Sequence, residues 1–463
     1  MDRLRIVVWS VALALGVVVA ARWVWGPFSI AGVPVNVPLN PEGVFGLLLT
    51  LLLAEKTPAL SRDHKGADRR WLLLLAPFTI LTLWPALNVG FLSDDFILIK
   101  QARDFSMSTL GPLFTTAGGD GFFRPLGYLS FDLNALVSDD PRWWHLSALL
   151  LHAANAVLVA MLGARLGASR SVALLAGALF ALHGTHLEAA VWIAGRFDLL
   201  AALFTLATLL LFGRSTAAAL VCALAALWSK EAAFVLPALV TLLAWHERKL
   251  LRSSLPFWAI TAAAFLYRWL LLGGIGGYTA ESGGSAFFSL KFATTAKAVF
   301  VRVWTSLYFP LNWSREPSML VGLLACVYIG TLLWLAWKCR PTAALRLALI
   351  GLAISILPPL HLLGGAADLS GGRLLYLPSI WFCLLLAFAT ANMERRTTVI
   401  VTVALLAFHL AALHHDLPFW QRAGEQVRAI CQQPTTPPEL PRAIEGVPAL
   451  ANGFAECIEA VHR

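Results

Sequence analysis

A chain of 463 residues that is 59% hydrophobic and only 13% charged is no water-soluble globular protein, where about a quarter of residues carry charge. Its net charge of +9 does not by itself point to nucleic acid, because the basic residues fall in short loops between apolar runs. Those runs are about 17–20 residues long, and a segment crossing lipid must be helical to satisfy its backbone. The sequence therefore predicts an all-α polytopic membrane protein with about 13 transmembrane helices, in the range 11–14. An outer interfacial helical loop and a short outer C-terminal tail complete it.

Taken in order, the predicted spans are 6–25, 42–54, 71–89, 143–163, 171–189, 197–213, 216–229, 231–246, 254–272, 318–337, 343–361, 374–391 and 397–414. The first has the basic start of a signal peptide. It is too long for one, and no small-residue cleavage site follows, so it reads as a span. Residues 1–70 form an N-terminal pair of spans with a basic loop. Residues 71–414 form the main membrane domain, with a long loop at 91–142, and 415–463 form the tail.

Orientation follows from charge. The loops at 55–70, 164–170, 246–252, 338–346 and 393–396, with Asp2, Arg3, Arg5 and Arg214, hold 18 of the 35 Lys and Arg but 6 of the 26 Asp and Glu. Positive loops stay in the cytoplasm, so the N-terminus is expected inside and the tail outside. Residues 286–309 are apolar enough to cross. Crossing would turn the basic stretch 338–346 outward, so they are expected along the outer interface as an amphipathic helix. An Ala- and Leu-rich chain with abundant Arg suits a high-GC bacterium, which would make the outer side periplasm and the membrane the inner one.

With this topology the conspicuous polar residues collect at the outer ends of the spans, where ionisable groups are functional candidates. Asp94 and Asp95 follow the third span in "GFLSDDFILIK". His183, His186, Glu188, Arg196 and Asp198 lie in "HGTHLEAAVWIAGRFD". Lys230 and Glu231 form a turn, Arg268 lies near the end of the ninth span, and Arg373 and Tyr376 open the twelfth. The long loop adds Asp120, Arg124 and Asp132.

Each has a plainer reading. Asp94 and Asp95 would also suit a helix N-terminus. Arg196 with Asp198, and Lys230 with Glu231, could be structural ion pairs. Arg268 could snorkel. His183 and His186 with Glu188 could be structural, could bind acceptor or phosphate, or could bind metal, although their spacing is not the HExxH pattern. The glycine-rich stretch 273–285 lacks a phosphate-loop signature and reads as a flexible outer loop.

Carboxylates and fixed cations at one membrane face suit a sugar transfer. A carboxylate takes the proton of an acceptor hydroxyl, and Arg and Lys hold a leaving phosphate. Nucleotide sugars are absent outside the cytoplasm, so the donor expected is a polyprenyl-phosphate sugar. The acceptor (protein, lipid A or another glycan) stays open. No ligand set requires a metal, although a divalent cation is compatible.

The segments "FFRPLGYLSFDLNALVSDDPRWWHLSALLLHAANAVL", "HGTHLEAAVWIAGRFDLLAALF", "SKEAAFVLPAL", "YFPLNWS" and "GGRLLYLPSIWFCLLLA", in that order, resemble the transmembrane-and-tetratricopeptide-repeat O-mannosyltransferases and their bacterial relatives, of the glycosyltransferase C superfamily. The resemblance covers roughly residues 85–415. It implies an inverting transferase with the base at Asp94 or Asp95, and Arg373, Lys230, Arg124 and Arg268 as candidate phosphate ligands. Two positions depart from the family pattern: Ser93 stands where His is frequent, and Gly184 where Pro is frequent. No 34-residue period follows residue 415, and two extra spans precede the matching region.

Two other classes compete. A lipid-linked glycan flippase would show internal repeats and midplane polar sites, and neither is visible. An O-antigen-ligase-like enzyme would not need the Asp pair. Cys431 and Cys457 both lie in the tail, where an oxidising compartment would allow a disulfide.

Overall fold

The computed structural model describes residues 3–25, 29–30, 33–34, 41–55, 70–117, 121–277, 292–312, 318–340, 342–363, 370–391, 393–433, 441, 443–450 and 456–458. The basic loop at 56–69, Asp120, most of the glycine-rich loop and the proline-rich bend at 434–440 lie outside the described residues. Helices make up nearly all of the rest. Two short antiparallel hairpins pair Ser29–Ile30 with Val33–Pro34 and Ala443–Ile444 with Val447–Pro448.

Every predicted span overlaps one apolar helix, and the chain is an integral membrane protein. By length and composition six of these helices can cross a bilayer, among the described residues: Pro141–Arg165, Ile193–Leu211, Leu251–Leu272, Met319–Lys338, Gly372–Ala389 and Arg395–Cys431. Arg170–Leu182 and Gly184–Ala190, bent by 50°, make a seventh if counted as one. The other six apolar helices have 10–17 residues, so the expected count of about 13 is not reached by length alone. Proline accounts for part of the shortening. The third predicted span turns from α-helix to a 3-10 turn at Trp84–Asn88, where Pro85 cannot donate.

Burial separates inner from outer helices. Every residue from Tyr376 to Ala389 is buried, whereas 17% of the Leu251–Leu272 window is. A helix apolar on all sides belongs either in a protein core or against lipid. The exposed Trp258, Leu266, Trp269 and Leu270 put Leu251–Leu272 at the lipid face. Ser169, Ser215 and Thr342 cap helix N-termini by accepting from backbone N–H groups. Arg165 closes a helix end, donating to the carbonyls of Leu209, Leu210 and Phe212 while paired with Glu247.

Two expectations change. Residues 292–308 do not lie exposed along an interface. They form one helical run with a π turn at Ala298–Arg302, and its second half is buried against the helix Pro41–Glu55. Tyr308 and Thr50 share a hydrogen bond there. The apolar face that looked interfacial is matched to a neighbouring helix. The boundary expected at residue 415 falls inside one 37-residue helix, Arg395–Cys431, which continues through Pro418. Its far end carries the disulfide Cys431–Cys457.

A second apolar core, separate from the main one, includes Leu92, Phe96, Phe131, Trp144, Trp192 and Trp420. The polar residues of interest are set around it.

Candidate active site

The acidic loop is built on strain and backbone contacts. Gly90 has φ 82° and Ser93 has φ 48°, a left-handed geometry that a side chain seldom adopts. The His145 ring donates to the Gly90 carbonyl at 2.9 Å. Ser93 N–H donates to the Ala449 carbonyl of the tail at 2.6 Å. The turn then separates the two carboxylates. Asp95 is fully buried, and its two oxygens accept from the backbone N–H of Leu92 (2.9 Å) and of Ala194 (2.8 Å). Burial pushes its carboxyl up to about 8, and the two amides pull against that shift. Asp94 is half-buried at the N-cap of the helix Asp95–Arg103, and its side chain makes no capping hydrogen bond. Asp95 thus ties the loop to the turn at 194, and neither side chain caps the helix that follows. Asp132 is also buried, which raises it to about 6.

The predicted cations come together, but with partners other than their sequence neighbours. Arg124 grips Glu231 through Nε and a terminal nitrogen (3.0 and 2.6 Å), and Arg268 holds the other Glu231 oxygen at 2.6 Å. Lys230 pairs with Asp198 at 2.5 Å. Arg124 and Arg373 lie close enough for their charges to bear on Lys230. Arg196 does not pair with Asp198. It is buried, donating to the Ser130 and Trp144 carbonyls and to the Ser147 hydroxyl. Adjacent residues in a helix or turn point apart, which is why neither sequence-local pair forms. Four cations, Arg124, Lys230, Arg268 and Arg373, stand against three carboxylates, Asp198, Glu231 and Glu188, a local excess of one positive charge.

Glu231→Gln is expected to leave Arg124 and Arg268 without their shared anion and to lower stability by about 2–3 kcal/mol. Thermal unfolding in detergent of this variant, of Arg124→Gln and of the double variant would show strong coupling between the two sites.

Arg373 is placed by its backbone and its face. Its N–H donates to Glu188 Oε2 at 3.0 Å, and its guanidinium lies 4.2 Å from the centre of the Trp192 ring. The Trp192 indole N–H donates to the Leu92 carbonyl at 3.1 Å. One tryptophan therefore touches both the acidic loop and the arginine.

The histidines behave otherwise. His183 and His186 are fully buried and use both ring nitrogens. His183 bonds Thr185 and the Leu307 carbonyl, and His186 bonds the Phe180 carbonyl and Ser379. They do not share a face of one regular helix, because the chain bends between them. Tyr376 is equally buried, its hydroxyl bonded to His152 (2.8 Å) and Asn155 (3.1 Å). These three predicted site residues brace the core beneath Arg373. His145, His152 and Asn155 were not singled out in the sequence. The signal was there, in three polar residues within one apolar span. Among the described residues no group of three His, Cys, Asp or Glu could hold a metal ion.

Gly184, one of the two departures from the family pattern, sits where a Cβ would run into the Pro310 carbonyl. Gly184→Ala is expected to lower stability by about 1–3 kcal/mol through overpacking, measurable as a drop in thermal midpoint.

A narrow cleft with only water-sized room, about 20 Å³, adjoins this region and is partly open to solvent. Glu188, Asn312, Asp416, Phe419 and Trp420 line it, and the tail hairpin closes one side with Gly446, Val447 and Pro448.

No family model matches the chain. A stretch of 165 residues is 37% identical to protein O-mannosyl-transferase Tmtc2 of Drosophila melanogaster, over 33% of this chain and 18% of that protein. Protein O-mannosyl-transferase TMTC3 of Homo sapiens is 33% identical over 145 residues, 28% of this chain and 16% of that protein. Protein O-mannosyl-transferase F38B6.6 of Caenorhabditis elegans is 22% identical over 402 residues, 78% of this chain and 58% of that protein. The chain is a homologue of these O-mannosyl-transferases. It spans less than a fifth of the length of the first two O-mannosyl-transferases, so the homology to them is partial. A solved structure of ArnT from Cupriavidus metallidurans bound to undecaprenyl phosphate is 16% identical and covers 85% of this chain and 88% of its own, with a TM-score of 0.34. That likeness is too loose to bear on the site.

Proposed function

We propose that the chain is an inverting glycosyltransferase that moves a sugar from a polyprenyl-phosphate donor to an acceptor hydroxyl. All thirteen apolar helices cross the membrane in this reading, with the N-terminus cytoplasmic and the site on the periplasmic side of a bacterial inner membrane. Homology to O-mannosyl-transferases supports the transferase class. The observation that carries the reading is Trp192, which contacts the Leu92 carbonyl beside the acidic loop and the guanidinium of Arg373.

Asp94 is the general base. Asp95 is fully buried with both oxygens on backbone amides, whereas Asp94 is half-buried and so more accessible to an incoming hydroxyl. The Asp94 carboxylate takes the acceptor hydroxyl proton as the oxygen attacks the anomeric carbon. The bond from that carbon to the phosphate oxygen breaks, and its electron pair leaves on polyprenyl phosphate. One displacement inverts the carbon. Arg373 and Lys230 offset the charge on the leaving phosphate, with Arg124 and Arg268 held ready by Glu231.

The test is donor cleavage in proteoliposomes supplied with a radiolabelled polyprenyl-phosphate sugar. Release of the sugar from the lipid is expected. Movement of intact donor between leaflets, with no cleavage, would show a flippase.

A further inference from the structure

Beyond Pro418 the helix Arg395–Cys431 turns one face to the chain that leads into the acidic loop. Gln421, Gly424, Arg428 and Cys431 recur at three- and four-residue steps, the spacing of a single helix face. The Gln421 amide donates to the Pro85 carbonyl at 2.9 Å. A Cβ at Gly424 would strike the Val89 carbonyl, so only glycine lets the two backbones approach this closely. The Arg428 guanidinium is next to Gly90, where a Cβ would lie 3.1 Å from it. The helix thus follows residues 85–90 to the base of the loop, and Cys431 ends it.

The tail takes over where the helix stops. The hairpin of Ala443–Ile444 and Val447–Pro448 lies between Cys431 and Cys457 in the chain, and the disulfide closes that stretch into a loop. Val447, Ala449, Leu450 and Cys457 are buried in the same apolar core as Leu92 and Phe96. Ala449 offers its carbonyl to the Ser93 N–H at 2.6 Å. This bond falls on the residue whose left-handed backbone turns the chain into Asp94. A residue other than glycine keeps that geometry only where its surroundings impose it. Asp95 fixes the next step of the turn on Ala194. The half-buried Asp94 is therefore set between one anchor inside the membrane domain and one that the tail supplies. Lys100, in the helix after the loop, comes within 3.9 Å of Glu456, beside Cys457. The seam between hairpin and helix has only water-sized room, about 20 Å³, so the hairpin is seated on the helix.

We propose that the disulfide-closed tail is a positioning element of the active site: through the Ala449 carbonyl it holds Ser93 and so sets the direction of Asp94. The proposal rests on the transferase reading for what Asp94 does, and on the contacts alone for the coupling of tail to loop. With Cys431–Cys457 open, Ala449 is tied to the helix through one end of its segment only, and its effective concentration at Ser93 falls. Arg422 and Asn312 still hold the hairpin tip at Glu445, so the tail loosens without leaving. Arg373 stays on Glu188 and Trp192, so donor binding is untouched.

Hydrogen exchange read by mass spectrometry, together with sugar-transfer kinetics, tests this on the full chain in detergent before and after dithiothreitol. The reagent is oxidised to its own disulfide as Cys431 and Cys457 take up two electrons and two protons and become thiols, and alkylation with mass mapping shows that the reaction is complete. Faster exchange confined to peptides covering 90–96 and 443–450 is expected, with kcat down about tenfold and the donor KM unchanged. Reoxidation should restore both. The double variant Cys431→Ala, Cys457→Ala should behave as the reduced wild type does and ignore the reagent. Unchanged exchange at 90–96, or an unchanged kcat in the reduced chain, would overturn the proposal. So would faster exchange spread over the spans, or a double variant that does not fold, since either would make the bond a staple for the whole fold. Exchange needs no turnover. A loop that loosens with the tail, in a chain that never cleaves the donor, would sink the transferase reading and leave the coupling in place.

Discussion

Asp94→Asn is expected to cut sugar transfer by about 100- to 10,000-fold while leaving the protein folded, the range for losing a general base. Asp95→Asn is expected to act differently. Asp95 bridges Leu92 and Ala194 through two carboxylate oxygens, and an amide offers only one acceptor oxygen there. The buried NH₂ group would face an N–H donor, at a cost of about 1–3 kcal/mol. The variant should melt earlier, with activity falling in step with folded protein. Initial rates normalised to folded enzyme separate the two. Equal normalised losses would mean that both carboxylates act in chemistry, and a loss confined to Asp95→Asn would reverse the assignment.

Arg373→Ala is expected to lower kcat/KM by about 100-fold, as when one donor that stabilises developing charge is removed. The side chain is already organised for that work. Its backbone is anchored on Glu188 and its planar group rests on Trp192, so little freedom is lost when phosphate arrives. Arg373→Lys should recover only part of the activity, because an ammonium restores charge but neither the fork nor the stacking. Kinetics over a donor titration divide the effect. A fall mainly in kcat places the contact in the transition state, and a rise mainly in KM places it in donor binding. An unchanged rate would remove Arg373 from the site.

Much of this region was legible because lipid makes polar residues expensive. Asp94, Asp95, Arg124, Lys230, Glu231, Arg268 and Arg373 stood out against apolar spans, and Arg124, Arg268 and Glu231 come together in one ion-pair cluster beside Lys230. Their partners were not legible. Arg124 finds Glu231 across 107 positions and Arg373 finds Glu188 across 185, and no local period encodes either. Sequence neighbours were poor guides, since Arg196 and Asp198, like Lys230 and Glu231, turn away from one another. His183, His186 and Tyr376 drew notice for the same reason as the acids, yet burial gives them structural work. The helical run 292–308 was misjudged because charge balance argues about crossing and says nothing about a helix already waiting at 41–55. The tail joins the last span in one helix, Arg395–Cys431, which a boundary drawn where the apolar run ends hides.

The most direct measurement is the anomeric configuration of the sugar released from a polyprenyl-phosphate donor by the wild-type chain in liposomes, read by NMR alongside the appearance of polyprenyl phosphate. A base at Asp94 and a single displacement give the inverted anomer, with one lipid phosphate freed per sugar. A retained anomer, or no lipid phosphate at all, would contradict the account.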